Sequence, residues 1–210
     1  MYLEEIWRYP VKSMAGERLE TALLDREGVE GDRRIQVHGE RIVTARSRPA
    51  LLGHHATIDE RGEVLVDGRP WRDASVAADV ERAAGKGSRL VPSNALEHRY
   101  DILPLLVATD GAIDSLQLDR RRFRPNLYIA GVEGLAERGW EGRRLRIGDA
   151  VVALADLRGR CVMTTFDPDT LKQDPKVLRT IVERLGGVLG LNAEVARAGR
   201  VRVGDRVELL

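Results

Sequence analysis

Apolar residues along this chain recur at short intervals and seldom in long runs. Residues 34–38 alternate cleanly, with Ile35 and Val37 on one side and Arg34, Gln36 and His38 on the other, as a half-buried strand requires. Gly39-Glu40 then makes a tight turn, and residues 41–46 return as the hairpin partner. Residues 2–9, aromatic and aliphatic and ended by Pro10, read as an opening strand. Further strands are predicted at 19–24, 53–59, 64–66, 104–109, 143–147 and 151–157, with another following the basic run at 120–124. Residues 200–209 are expected to close the chain as a hairpin about Gly204-Asp205.

Helical periodicity is confined to three places. Ser75 is expected to cap a helix over 76–84 that Gly85 stops, and Thr109 or Asp110 to cap a short one reaching Leu118. Asp174-Pro175 opens the best-marked helix, where Val177, Leu178, Ile181, Val182 and Leu185 fall at helical spacing before Gly186-Gly187. Many short strands with about three helices predict an α+β, predominantly β fold, its N-terminal part a small barrel or sandwich. Gly85-Lys86-Gly87-Ser88 marks the expected boundary between a region 1–85 and a region 86–210.

Composition narrows the function by exclusion. The 210 residues carry 34 basic and 33 acidic side chains, a net charge of +1, so no general affinity for nucleic acid is expected. Four of the basic residues are lysine and the other 30 arginine, a bias that obliges each arginine to be judged by context. No apolar run approaches the ~20 residues that span a membrane, and the start of the chain has no signal-peptide character. A soluble, cytoplasmic protein is expected.

Candidate chemistry centres on Gly159-Arg160-Cys161-Val162-Met163-Thr164-Thr165-Phe166-Asp167-Pro168-Asp169-Thr170, which holds the single cysteine. A free cysteine is often simply buried. Here it sits at a strand end beside Arg160, and a nearby guanidinium favours the thiolate, the form that binds metals or attacks electrophiles. Asp167-Pro168-Asp169 reads as a turn and not as a carboxylate pair. Lys12-Ser13 could hold a phosphate through a point charge and a hydroxyl. Gly31-Asp32-Arg33 has an internal control, because Gly204-Asp205-Arg206 repeats the tripeptide in what looks like a plain turn. In the run Arg120-Arg121-Arg122-Phe123-Arg124-Pro125-Asn126, an extended backbone would place Arg120, Arg122 and Arg124 on one side, suited to a dianion. His54 and His55 would point to opposite faces of a strand, and His38 and His98 stand alone.

Taken in order, these segments resemble the MOSC family, named for the C-terminal domain of molybdenum-cofactor sulfurase. The likeness is to the branch with an N-terminal β-barrel that includes the mitochondrial amidoxime-reducing component. It rests on Tyr9-Pro-Val-Lys-Ser-Met-Ala-Gly-Glu17, Gly28-Val-Glu-Gly-Asp-Arg33, Val43-Thr-Ala-Arg46, Arg122-Phe-Arg-Pro-Asn126, the cysteine segment and Gly199-Arg-Val-Arg-Val-Gly-Asp-Arg-Val207. Gly186-Gly187-Val188-Leu189-Gly190-Leu191-Asn192 follows the family's glycine and asparagine pattern only approximately. The resemblance implies a β-barrel MOSC fold and a bound molybdenum cofactor (Mo-molybdopterin) with Cys161 as catalytic residue and metal ligand. It places Lys12, Ser13, Arg33, Arg46, Thr109, Arg122, Asn126 and Arg160 around the cofactor.

The implied activity is reduction of small N-hydroxylated substrates such as amidoximes, hydroxylamines or N-hydroxylated bases. A single cysteine cannot hold the iron–sulfur cluster of longer relatives. Electrons are therefore expected from an external donor protein, a ferredoxin or flavodoxin, or a cytochrome b5-like protein with its reductase. Two alternatives stand beside it: sulfur transfer through a Cys161 persulfide, and a non-enzymatic carrier of the cofactor.

Overall fold

The computed structural model describes residues 1–93 and 99–210; His98 lies outside them. The N-terminal strands are β1 (Tyr2–Arg8), β2 (Glu17–Leu19), β3 (Thr21–Asp25), β4 (Gly28–Val29), β5 (Ile35–His38) and β6 (Ile42–Val43). Then come β7 (Ala56–Ile58), β8 (Val64–Val66), β9 (Arg69–Pro70) and β10 (Arg89–Pro92). The remainder are β11 (Leu105–Thr109), β12 (Leu127–Ala130), β13 (Arg144–Ile147), β14 (Ala150–Gly159), β15 (Val188–Arg197), β16 (Gly199–Arg202) and β17 (Val207–Leu209). With α-helices at Ala74–Ala84, Asp110–Asp114 and Pro175–Leu185, the chain is a β-rich α+β protein.

Eight strands form one sheet in the order β17-β13-β14-β15-β11-β12-β1-β2. The expected barrel does not close, because β17 and β2 do not pair. After three residues of β2 the chain turns into β3, which pairs with β16 in a separate ladder. That diversion also undoes the closing hairpin: β16 joins β3, whereas β17 joins β13. In place of an N-terminal barrel stand two three-stranded ladders, β10-β5-β6 and β7-β8-β9.

Alternation sorts the central strands between two layers. Val107, Leu127 and Ile129 point into the main core, while Ala108 and Tyr128 point into a second layer with Phe123, Ile181 and Leu185. The helix Pro175–Leu185 covers that layer with Val177, Ile181 and Leu185, an i, i+4, i+8 stripe; Val182 falls outside it and is exposed. A third core gathers Val11, Met14, Ile35, Val37, Val64 and Val66 under Val76, Val80 and Ala84 of the first helix.

Three local expectations are corrected. The first helix begins at Ala74 because Asp73, not Ser75, caps it by accepting from the Ser75 N–H. Residues 49–53 form a 3₁₀ turn, so the strand predicted at 53–59 shrinks to Ala56–Ile58, and His54 leaves it to meet Asp67 at 2.7 Å. The arginine run is likewise 3₁₀, from Arg120 to Phe123, with Asp119 capping it and Arg124 left-handed. Its guanidiniums therefore diverge, Arg120 toward Glu4 and Glu5 and Arg121 toward Asp119 and Asp169. No helix among the described residues is long and apolar enough to cross a membrane.

Candidate functional site

A cavity of about 290 Å³ opens where the loops of the third core meet the start of β11, the approach to β12 and the end of β14. Lys12 and Ser13 enter on the loop after β1, Arg33 on the turn ahead of β5, and Arg46 on the segment after β6. Arg122, Asn126, Arg160 and Cys161 face them from the large-sheet side. Residues spread from 12 to 161 thus share one wall. Ser13, Arg33 and Arg124, three of six positive-φ non-glycine residues among those described, also line it, at φ 75°, 50° and 54°. L-residues enter that region at a cost, and such strain gathers at ligand sites.

Thr109 is the expected site residue that does not line this cavity. It is fully buried and accepts from the Ala112 N–H at 3.3 Å, capping the helix Asp110–Asp114. The capping reading holds for it, and it is not on the cavity wall. Asn126 lines the cavity, yet its amide serves the fold: Oδ1 accepts from Leu106 N at 3.2 Å and Nδ2 donates to Trp7 O at 3.3 Å. It holds the strand ends that carry the wall.

The cysteine is fixed through its backbone. The Cys161 carbonyl accepts from Thr164 Oγ1 at 2.9 Å, and Arg160 N donates to Gly187 O at 2.9 Å. Asp167 closes the predicted turn, accepting from Thr170 N and Oγ1 at 3.0 Å each, and takes Arg122 Nη2 at 2.8 Å. Cys161 itself is half-buried. Its thiol faces the cavity beside Arg46, whose guanidinium donates to Asp101 at 2.6 Å; Arg160 turns to Phe123, donating to its carbonyl at 2.8 Å.

Positive charge dominates the wall. Burial pushes the Arg160 guanidinium down to about 10, with Arg158 adding like-charge repulsion, and its Nε is buried without a hydrogen-bond partner. Burial likewise pushes Arg124 down to about 10, with Arg33 working in the same direction. Tyr9 lies between those two, its ring centroid 5.3 Å from Arg33 and 4.2 Å from Arg124. Arg33 is ion-paired to the buried Asp32, which outweighs its burial and holds it above its ordinary value. Arg206, in the repeated tripeptide, is exposed and faces Glu208 across 3.5 Å, so the two tripeptides part ways, although the repeat by itself implied a plain turn in both places.

Sequence reasoning passed over Tyr100, Asp101, Arg158 and Asn192, all on the wall. Asn192 had a signal in the approximate glycine and asparagine pattern. It accepts from Arg158 Nη1 at 3.0 Å and donates to Asp156 at 3.2 Å. Asp101 sits in no pattern at all.

Comparison with known proteins places these loops in context. The MOSC N-terminal beta barrel domain model matches residues 1–95, and the MOSC domain model matches residues 100–208. The chain is 27% identical to mitochondrial amidoxime reducing component 2 of Macaca fascicularis, covering 97% of this chain and 82% of that one. It is 30% identical to the human component 2 over 51% of this chain, and 33% identical to the mouse component 1 over 52%. In each of those two it spans 37% of the relative's length. Among solved structures, the YUAD protein from Bacillus subtilis superposes with a TM-score of 0.55 at 14% identity, over 99% of this chain and 94% of that one, a likeness of fold. The two domain models together run through every loop that builds the cavity, and the chain belongs to the MOSC family.

Proposed function

We propose that this chain holds the molybdenum cofactor in the cavity and reduces N-hydroxylated compounds with electrons from a separate donor protein. One observation carries the reading: the thiol of Cys161 shares a single pocket with Lys12, Ser13 and Arg33 and with an excess of guanidiniums. A cofactor that ends in phosphate and presents a metal among sulfurs needs a cation-and-hydroxyl grip at one end and a soft ligand at the other. The buried, unpartnered Nε of Arg160 is a donor in want of an acceptor, which an anionic ligand provides. The residues present fit the group.

When bound, the cofactor supplies the redox chemistry. The chain's own part is binding and orientation. Lys12 offers a point charge, Ser13 a hydroxyl, and Arg33 a planar fork pre-set by Asp32. Cys161 offers a sulfur ligand whose softness suits such a metal. Among the described residues no three His, Cys, Asp or Glu side chains gather, so a metal here would rely on one protein sulfur. The relatives' printed name, amidoxime reducing component, supports the reaction class. A ferredoxin, flavodoxin or cytochrome b5-like donor and a cytoplasmic setting complete the proposal.

The test is to produce the chain in a host that makes the cofactor, then measure molybdenum and pterin per chain and reduction of an amidoxime. Near-stoichiometric metal with turnover that Cys161→Ala abolishes supports the reading. Turnover retained by that variant at normal metal content overturns the role of the thiolate. Metal without turnover would make the chain a carrier, and a cyanide-labile sulfur without metal would make it a sulfur transferase.

A further inference from the structure

Among the described residues lining the cavity, Asp101 alone carries a carboxylate, and it binds three cations at once. Its Oδ1 lies 3.2 Å from Lys12 Nζ, while Oδ2 accepts from Arg46 Nη2 at 2.6 Å and from Arg158 Nη2 at 3.3 Å. Those cations come from three separate places, the loop after β1, the segment after β6 and the end of β14. Three donors converging on two oxygens is how a protein holds a phosphate or carboxylate ligand. Here the occupant belongs to the chain. Its hold differs from that of Asp32, whose side chain is wholly buried; Asp101 is 31% exposed and sits on the bends that precede β11. Among the described residues, its hydrogen bonds and ion pairs are those to these three cations.

We propose that Asp101 is a displaceable internal counter-ion, occupying the position an incoming phosphate monoester takes and giving it up when that anion enters. This rests on the anion-binding reading of the cavity and adds a selection step to it. A tethered carboxylate is present at high effective concentration, so it outcompetes free inorganic anions. A ligand that also fills the rest of the cavity gains enough further contacts to replace it, which is discrimination by an element acting against the wrong occupant.

The experiment measures inorganic phosphate binding by calorimetry to the cofactor-free full chain. Asp101→Asn is compared with wild type and with Asp114→Asn, which removes one charge from an exposed position outside the cavity lining. If the carboxylate fills the site for most of the time, the apparent affinity of the wild type is lowered by the open fraction, and Asp101→Asn binds about tenfold more tightly. Asp114→Asn matches wild type. Equal or weaker binding by Asp101→Asn would make the carboxylate a prop for the cations and overturn the proposal. Absence of phosphate binding in all three overturns it together with the anion-binding reading, so the two failures are told apart. Should Asp101→Asn not fold, hydrogen exchange in the wild type decides: phosphate accelerates exchange at the amides of Ile102 and Leu103 if the carboxylate is released, and unchanged or slower exchange rejects release.

Discussion

Asp32 accepts a hydrogen bond from the backbone N–H of Tyr9 at 2.6 Å, tying the Gly-Asp-Arg turn to the end of the first strand. The same carboxylate pairs with Arg33 and is 1% exposed, so both sides of the cavity-forming turn depend on it. Its counterpart Asp205 closes a surface turn by accepting from Arg202 N at 2.7 Å. Asp32→Ala leaves a half-buried guanidinium and a buried N–H unpaired and is expected to cost about 3 kcal/mol. Asp205→Ala is expected to cost about 1 kcal/mol, one local hydrogen bond. Urea midpoints of the two variants check the difference, and equal losses would deny the first turn any special place.

Arg33 and Arg206 make the parallel comparison for binding. Arg33 is fixed by Asp32 and by the rings of Tyr9 and Tyr100, 5.3 and 5.8 Å away, and faces the cavity. Arg206 is 84% exposed on the far side of a hairpin-like turn. Arg33→Gln is expected to lower phosphate affinity about tenfold or more, the loss of one charge-assisted contact. Arg206→Gln should leave the binding isotherm unchanged.

What the sequence revealed, and what it hid, follows from the range of the forces involved. The stripe Val177, Ile181, Leu185 and the alternation in β13, where Leu145 and Ile147 are buried and Arg144 and Arg146 exposed, depend on local periodicity. Strand partners do not. Val201 and Val207 lie six residues apart, yet they join strands near residues 22 and 147, a choice made by side chains far off in the chain. The site divides the same way. Lys12, Arg33 and Cys161 were found through the motifs around them. Arg124 was assigned to the wrong backbone because Asp119 as a cap outweighs the strand-like look of the run. Asp101 was invisible, since its meaning is the meeting of three cations from elsewhere.

Acid should act on the same carboxylate. Burial raises the Asp101 proton affinity, but Lys12 and Arg46 outweigh it and hold the carboxyl below its ordinary value. A folded-state value below the unfolded one contributes stability that is full above the unfolded value, about 4, and is lost as pH falls through the folded one. In phosphate-free buffer, the stability gap between wild type and Asp101→Asn is therefore expected to be flat from about pH 7 to about pH 5 and to close below about pH 4. Raising salt narrows the gap at every pH, because the carboxylate is partly open to solvent. Thermal midpoints across pH check it; a gap that widens on acidification reverses the assigned sign.

Gly190 tests whether backbone spacing in the large sheet governs the cavity. It sits in β15 at φ 74°, and a Cβ there would lie 2.7 Å from the Val107 carbonyl oxygen and 3.3 Å from Leu106 Cδ1 on β11. Two residues on, Asn192 pairs with Leu106 across the ladder and holds Arg158 by its side chain. Gly190→Ala must therefore strain the backbone and also push β15 away from β11, carrying Asn192 from Arg158. Gly62 provides the control, since it too has positive φ, 81°, but a Cβ there would meet nothing within 4 Å, and it lies outside the cavity lining. Gly62→Ala is expected to cost about 1 kcal/mol, the conformational penalty alone. Gly190→Ala is expected to cost about 3 kcal/mol, because overpacking against backbone is added to it. It should also weaken phosphate binding, which the control leaves intact. Equal destabilisation of the two, with binding unaffected in both, would show that β15 is free to shift without disturbing the wall that Arg158 occupies.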